Sequence, residues 1–195
     1  MKGFGIFSWF SYPLPLKERL ALIKDAGFEA TSLWWGDEFG DKNRQPETAR
    51  RLGLDIDYVY APFDNPNDLW LDSICHLDHI YEQLQSDRLG FCYDSGHENY
   101  NHPGADCLSR YGDKLFAVHL DDNWGDEDTH LLPYDGNINW EALGNKLKKC
   151  RDIPYLTLEV DFNRQNKRSR IYQDLSAAAF LSSAYQRLDK LCSSL

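Results

Sequence analysis

The sequence predicts an α/β fold built on a parallel sheet, and three observations carry that expectation. Short apolar runs recur along the chain, with the length and flanks of strands buried on both faces. Between them lie segments whose apolar residues repeat at helical spacing. Six of these strand-then-helix units follow one another, and such alternation joins parallel strands through helical crossovers. At 195 residues and 42% hydrophobic content, with many Trp, Tyr and Phe, the chain suffices for one domain with a substantial core.

Gly3 to Phe10 is the first strand-like run. Leu16, Leu20 and Ile23 then repeat at helical spacing until Gly27, a residue type that suits a helix stop. Ala30 to Trp35 is the second strand, followed by the polar loop Gly36 to Asn43 and a helix near Pro46 to Leu52, where proline suits an early helical position. Ile56 to Ala61 is the third strand, and the PFDNPND loop leads into a helix whose Leu77, Ile80, Tyr81 and Leu84 share a face. Leu89 to Tyr93 is the fourth, followed by a short helix over Ala105 to Tyr111, and Leu115 to Leu120 is the fifth. A helix carrying Trp140, Leu143, Leu147 and Cys150 begins at Asn139, a good N-cap type. Tyr155 to Val160 is the sixth strand, and after the polar loop Asp161 to Asp174 a closing helix carries Phe180, Ala184, Leu188 and Leu191. No repeat or hinge-like linker divides the chain.

A net charge of -10 argues against a nucleic-acid partner, and the basic clusters Lys146 to Arg151 and Arg164 to Arg170 read as solvated. No apolar run approaches the roughly 20 residues of a membrane span. The N-terminal MKGFGIFSWF enters a strand pattern with no cleavage site, so the expectation is no membrane partner and a cytoplasmic location. Cys75, Cys92, Cys107, Cys150 and Cys192 are odd in number and widely spaced, which suits reduced packing residues. Nucleotide-loop and serine-hydrolase motifs are missing.

Chemistry concentrates in LFAVHLDDNWGDEDTHLLPYDG, Leu115 to Gly136, where an apolar strand gives way to His119, Asp121, Asp122, Asp126, Asp128 and His130. In parallel α/β architectures, ligands gather at the carboxyl ends of strands. Taken strand by strand, the fourth ends on Asp94 and His97, the fifth carries His119 and the sixth carries Glu159. Asp, His and Glu from three adjacent strand ends make a three-ligand site with an open coordination position, as a catalytic metal requires. His97, Asp128 and His130 form a second candidate cluster beside it. The spacing Asp94-x-x-His97 lets one residue face each cluster. His76 and His79 fall on a predicted helix and read as surface or packing residues.

The segments YDSGH, VHLDDN, DTHLLPYDGNINW and LTLEV resemble the xylose isomerase-like TIM-barrel superfamily, which includes sugar phosphate isomerases and epimerases and metal-dependent apurinic-site endonucleases. SLWWGDE, YAPFDNPNDLW and SDRLGFCYDSGHE fit as well, so the likeness spans nearly the whole chain. It implies a TIM-barrel-like fold and a divalent metal (zinc, manganese, cobalt or magnesium) held by Asp94, His119 and Glu159. His97, Asp128 and His130 match a further metal-binding or substrate-binding group. Glu159 would lie beside the substrate carbonyl, and with His97 it is a catalytic candidate. The implied partner is a small sugar or polyol, on which Trp9 and Trp35, near strand ends, could stack.

The departures are specific. The family's barrel has eight βα units in about 250 residues, against six here. Between about residues 68 and 89 there is one helix where the family has two further units, including a strand that carries an essential glutamate. No residue matches that glutamate. Tyr60 stands where relatives often carry histidine, and Asp121 replaces a frequent second histidine. The expectation is therefore a single domain over residues 1–195 with about six of the usual eight strands, an incomplete or contracted barrel. Direct pairing of Ile56–Ala61 with Leu89–Tyr93 would close it, covered by the helix near His76 to Gln85. Unclosed edges would instead invite a second copy of the chain, a homo-oligomer. The function expected is a metal-dependent sugar isomerase or epimerase of reduced activity. The alternatives are a metal-binding or interaction remnant without turnover and, least favoured by the acidic charge, a metal-dependent phosphodiesterase.

Overall fold

The computed structural model describes residues 3–35, 42–60, 74–84, 86–162 and 169–193, without the side chains of 42, 74–76 and 169. Its strands are β1 (Gly3–Phe7), β2 (Ala30–Trp34), β3 (Asp55–Tyr60), β4 (Phe91–Asp94), β5 (Leu115–Leu120) and β6 (Tyr155–Leu158). The helices are α1 (Leu16–Asp25), α2 (Gln45–Arg51), α3 (Ile74–Gln83), α4 (Ser95–Asn101), α5 (Cys107–Tyr111), α6 (Trp140–Leu147) and α7 (Ala177–Ser193). All the strands are parallel, in one six-stranded sheet of order β3-β2-β1-β6-β5-β4. The sheet curls into an incomplete barrel.

The core lies between the outer face of this sheet and the helices. Phe4, Ile6, Leu33, Val118, Leu120, Leu156 and Leu158 point outward from the strands and are buried against Leu20, Ile23, Leu143, Phe180, Ala184 and Leu188 of the helices. Each such side chain contributes about 1.5–3 kcal/mol by leaving water. In α7 the buried positions Phe180, Leu181, Ala184, Leu188 and Leu191 form one stripe at helical spacing. Gly27 stops α1 in a left-handed conformation, φ +104°, that a side chain resists.

The expected closure does not occur. β3 and β4 stand at opposite ends of the sheet, and among the described residues each pairs on one side only. The reason lies inside the curl. Two residues of β2 oppose three of β3 where Thr31↔Ile56 gives way to Leu33↔Val59, and this bulge resets the inside-outside alternation. Asp57 below the bulge reaches Thr157 of β6, and Tyr58 and Tyr60 above it also turn inward, onto His119 of β5. The Tyr58 and His119 rings stack with centroids 5.0 Å apart. Aromatic side chains occupy the width that β3 would have to cross to approach β4. The PFDNPND loop, Ala61 and the Gly36 to Asp41 stretch lie outside the described residues.

Candidate metal centre

The carboxyl ends of β4, β5 and β6 deliver the predicted residues to one place. β4 runs directly into α4, and Asp94 caps that helix: its Oδ1 accepts the His97 backbone N–H at 2.8 Å. This leaves Oδ2 facing the sheet mouth, 3.1 Å from His97 Nδ1 and 3.4 Å from His119 Nδ1, aligned for a hydrogen bond with neither. His119 is the inward residue beside Asp94 in the β4–β5 register, and its Nδ1 lies 2.7 Å from Glu159 Oε2. Asp94, His119 and Glu159 offer donor atoms that all lie within 4.8 Å of one another. Tyr60, at the position where the resemblance suggests histidine, sets its hydroxyl 3.3 Å from both His119 ring nitrogens.

A second cluster sits beside the first: the expected His97 and His130 both place Nε2 3.3 Å from Asp128 Oδ2, and Asp121 adjoins them. Its three donors within 4.8 Å are Asp121, Asp128 and His130. His97 lies between the clusters, Nδ1 toward Asp94 and Nε2 3.3 Å from Asp128 Oδ2, with its side chain 51% exposed. The loop after β5 returns because Asp122 and Leu131 exchange both backbone hydrogen bonds, each 2.8 Å. That staple sets His130 and Asp128 over the end of the strand. His130 takes a left-handed backbone, φ 46°, a conformation costing a non-glycine residue about 1–3 kcal/mol. Its Nδ1 is held 2.8 Å from the Glu159 carbonyl oxygen and its own carbonyl accepts the Asp161 N–H.

Asp121, noted in the sequence as a departure from a frequent second histidine, was left out of the candidate ligands. The signal was there: inward positions alternate along an extended chain, so His119 and Asp121 share a side. Its backbone is clamped to Ser95, through N–H to Oγ at 3.0 Å and Oγ to the carbonyl at 2.7 Å, whereas neither carboxylate oxygen has a hydrogen-bond partner.

The electrostatics follow from the crowding of acids and imidazoles. Burial raises the Asp94 carboxyl, but His119 and His97 outweigh it and hold it well below the usual range. Asp128 is likewise depressed, with burial opposed by His130 and His97. The Asp128 and Asp94 carboxylates push His97 up to about 11. Burial pulls His130 down, but Asp128, Asp121 and Glu159 bring it up to about 10. Burial, with Asp94 and Glu159 nearby, pushes Asp121 well upward. Imidazole and carboxylate donors with orphaned, buried oxygens at Asp94 and Asp121 fit a divalent cation, which would satisfy both.

A pocket of about 130 Å³ opens beside Glu159, lined by Phe7, Trp9, His130, Glu159, Val160 and Asp161. Trp9 is therefore at the mouth. Trp35 is not in this lining, and its backbone N–H instead donates to the Tyr60 carbonyl. His79 is exposed on α3, and the side chain of His76 lies outside the described residues.

Comparison with known proteins places this geometry. The uncharacterized protein y4fM of Sinorhizobium fredii (strain NBRC 101917 / NGR234) is 38% identical over 86 residues, 44% of this chain and 28% of that protein. A fusion of a xylose isomerase-like TIM barrel with 4-hydroxyphenylpyruvate dioxygenase superposes with TM-score 0.75 at 14% identity, over 97% of this chain and 42% of its own. The chain thus spans less than half the length of either. An L-ribulose 3-epimerase superposes with TM-score 0.69 at 16% identity, covering 100% of this chain and 96% of its own. A zinc-bound IolI protein gives 0.52 at 16%, over 98% and 77%. At these identities the structures speak for the fold. The family model for the xylose isomerase-like TIM barrel matches residues 58–179, more than half of the chain, and the chain belongs to that family.

Proposed function

We propose that this protein is a metal-dependent member of the sugar isomerase and epimerase group with reduced turnover. The observation that carries the reading is the convergence of Asp94, His119 and Glu159 from three adjacent strand ends, beside a pocket walled by Phe7 and Trp9. A divalent cation held by these three would polarise a substrate carbonyl and draw off negative charge as a proton moves, an effect of several kcal/mol. The remaining steps belong to the chain's own side chains. Glu159 is the group at both the cluster and the pocket, so it takes the proton from the carbon beside the carbonyl. His119, 2.7 Å from its Oε2, fixes its orientation. The Trp9 ring, held under the Arg19 guanidinium at 4.8 Å, stacks on an apolar sugar face, and Asp161 accepts a substrate hydroxyl.

Reduced turnover follows from Tyr58 and Tyr60, which fill the space inside the curl that a substrate would share with Glu159. The same observation supports the second reading, metal binding without catalysis. A panel of ketoses, aldoses and polyols assayed with manganese, cobalt, magnesium or zinc separates the two. The expected outcome is slow interconversion of one sugar class, well under about 1 s⁻¹, abolished in Glu159→Gln. Turnover indifferent to Glu159→Gln and to metal removal defeats the first reading; metal binding without any turnover leaves the second.

A further inference from the structure

We propose that two copies of this chain pair through the break in the sheet, β3 of each beside β4 of the other, and so complete the barrel that one copy leaves open. The sheet ends on β3 and β4, and among the described residues each has a neighbour on one side only. A parallel strand is ordinarily buried on both faces. The other five strands each carry buried residues, whereas no residue of β3 is buried and Val59 is 46% exposed. α3 is the matching case among the helices: from Leu77 to Gln83 it has no buried residue, and the adjoining Leu84 is 57% exposed. The bare elements are those that flank the break. An edge of unpaired peptide groups is a template for another strand.

The break does not close within one copy, because Tyr58 and Tyr60 turn into the curl onto His119 and hold β3 away from β4. What β3 lacks is a parallel strand with a helix over its outer face. The chain carries such a unit at its other edge, where α3 precedes β4. One flank of α3 is docked on α5, with the Tyr81 ring 5.5 Å from that of Tyr111 and Asp78 Oδ1 accepting the Tyr111 hydroxyl at 2.7 Å. Ile80 and Leu84, one turn apart, lie on the other flank. With β4 of the second copy beside β3, its α3 brings these two side chains toward Val59. Charge agrees with this contact: α2, which packs against β3, exposes Arg50, and α3 exposes Glu82. A foreign strand would satisfy one edge and leave the other. A second copy satisfies both, since all strands run one way and a twofold axis along the barrel makes the two junctions identical. Tyr60 and Asp94, the carboxyl ends of β3 and β4, then meet across each junction, so each copy helps to wall the other's mouth.

The pairing stands whether or not the protein turns over a sugar. Full-length protein followed across dilution by analytical ultracentrifugation and by hydrogen–deuterium exchange tests it. The expected result is a monomer–dimer equilibrium with no larger species, in which the amides of β3 and α3 gain protection as the dimer forms. Val59→Glu faces Glu82 across the junction and Leu84→Lys faces Arg50, and both native side chains are exposed in the single copy. Each variant should raise the dimer Kd roughly tenfold or more. Ile171→Lys, at an exposed position after the central strand β6, should leave it unchanged. Mixing the Val59→Glu and Leu84→Lys proteins should give a mixed dimer tighter than either variant forms with itself, because one junction is then native and the other joins opposite charges. That gain also guards against misfolding, since a misfolded variant would not recover it. A monomer at every concentration reached, species beyond the dimer, or a dimer whose Kd and β3 exchange neither variant alters overturns the proposal.

Discussion

Asp121 and Asp122 are adjacent in the chain and equally buried, both at 0% exposure, and the fold treats them in opposite ways. Asp122 receives four donors: the N–H groups of Asn123 at 2.9 Å, Tyr134 at 3.0 Å and Ile138 at 3.2 Å, and Trp140 Nε1–H at 2.7 Å. Gly136 packs so tightly on it that a Cβ would meet its Oδ1 at 2.3 Å. Asp121 receives none. Extended chain sends neighbours to opposite sides, so one residue faces the loop it organises and the other faces the sheet mouth. Burial alone therefore separates nothing. Satisfaction does: the bonded carboxylate organises its loop, and the unbonded one makes no hydrogen bond at the sheet mouth.

Removing Asp122 should have the largest effect. Asp122→Ala orphans four donors, two of them fully buried at about 1–3 kcal/mol each, for a loss of about 2–6 kcal/mol, a large part of a domain's whole stability. Thermal and urea unfolding should show the variant close to unfolded without metal. A loss under about 1 kcal/mol would erase the distinction from Asp121.

A cycle through Gly96 sharpens the other half. Gly96→Ala gains about 0.5–1 kcal/mol in helix preference, but drives a methyl into Asp121 Oδ1. It should destabilise by about 2 kcal/mol as an overpacked contact. Adding Asp121→Ala should recover most of that loss, a coupling of about 1–3 kcal/mol. Additive losses across the cycle would place the clash elsewhere.

The first cluster admits a gentler test at Tyr60, whose hydroxyl lies against the His119 ring nitrogens. Tyr60→His exchanges a phenol for a further imidazole donor facing Asp94, His119 and Glu159. The expected result is about tenfold tighter binding of the metal equivalent that His119→Ala removes. Unchanged or weaker binding would set Tyr60 apart from the cluster.

Local pattern made much of this legible. Strand runs, the α6 cap at Asn139, whose Oδ1 accepts the Ala142 N–H, and the stripe on α7 depend on nearby residues, and sequence reports those. Asp94, His119 and Glu159 were legible because strand ends in a parallel sheet share a mouth. α4 was not, since Ser95, Gly96, Asn99 and Asn101 are poor helix formers. Its support is the Asp94 cap together with tertiary bonds, as from Asn99 Nδ2 to Asn123 and Asn137 at 2.8 Å. The failed β3–β4 pairing depended on interior volume and on a bulge, neither of which has a local signature. Asp121 was seen only as a replaced histidine, although alternation along an extended chain sets it on the same side as His119.

The smallest effect concerns His97, which the contrast between the two aspartates casts as a counter-ion. Asp128 and Asp94 raise it from 6.5 to about 11 in the folded protein, so the folded state holds its proton more tightly than the unfolded chain does. A raised value means that its contribution is complete below pH 6.5, shrinks steadily above that, and is gone beyond about pH 11. Asp94 and Asp128, which are depressed, act with the opposite sign, contributing above the usual carboxylate range and failing as acid protonates them. Metal-free His97→Gln should therefore melt a few degrees below wild type near pH 6 and converge with it toward pH 10. The gap should be narrowed by salt, since the side chain is half exposed. Saturating Mn²⁺ should flatten the pH dependence, because a bound cation takes over the neutralisation of the same carboxylates. A gap that widens as pH rises would show a neutral imidazole at work, and His97 would then join the ligands.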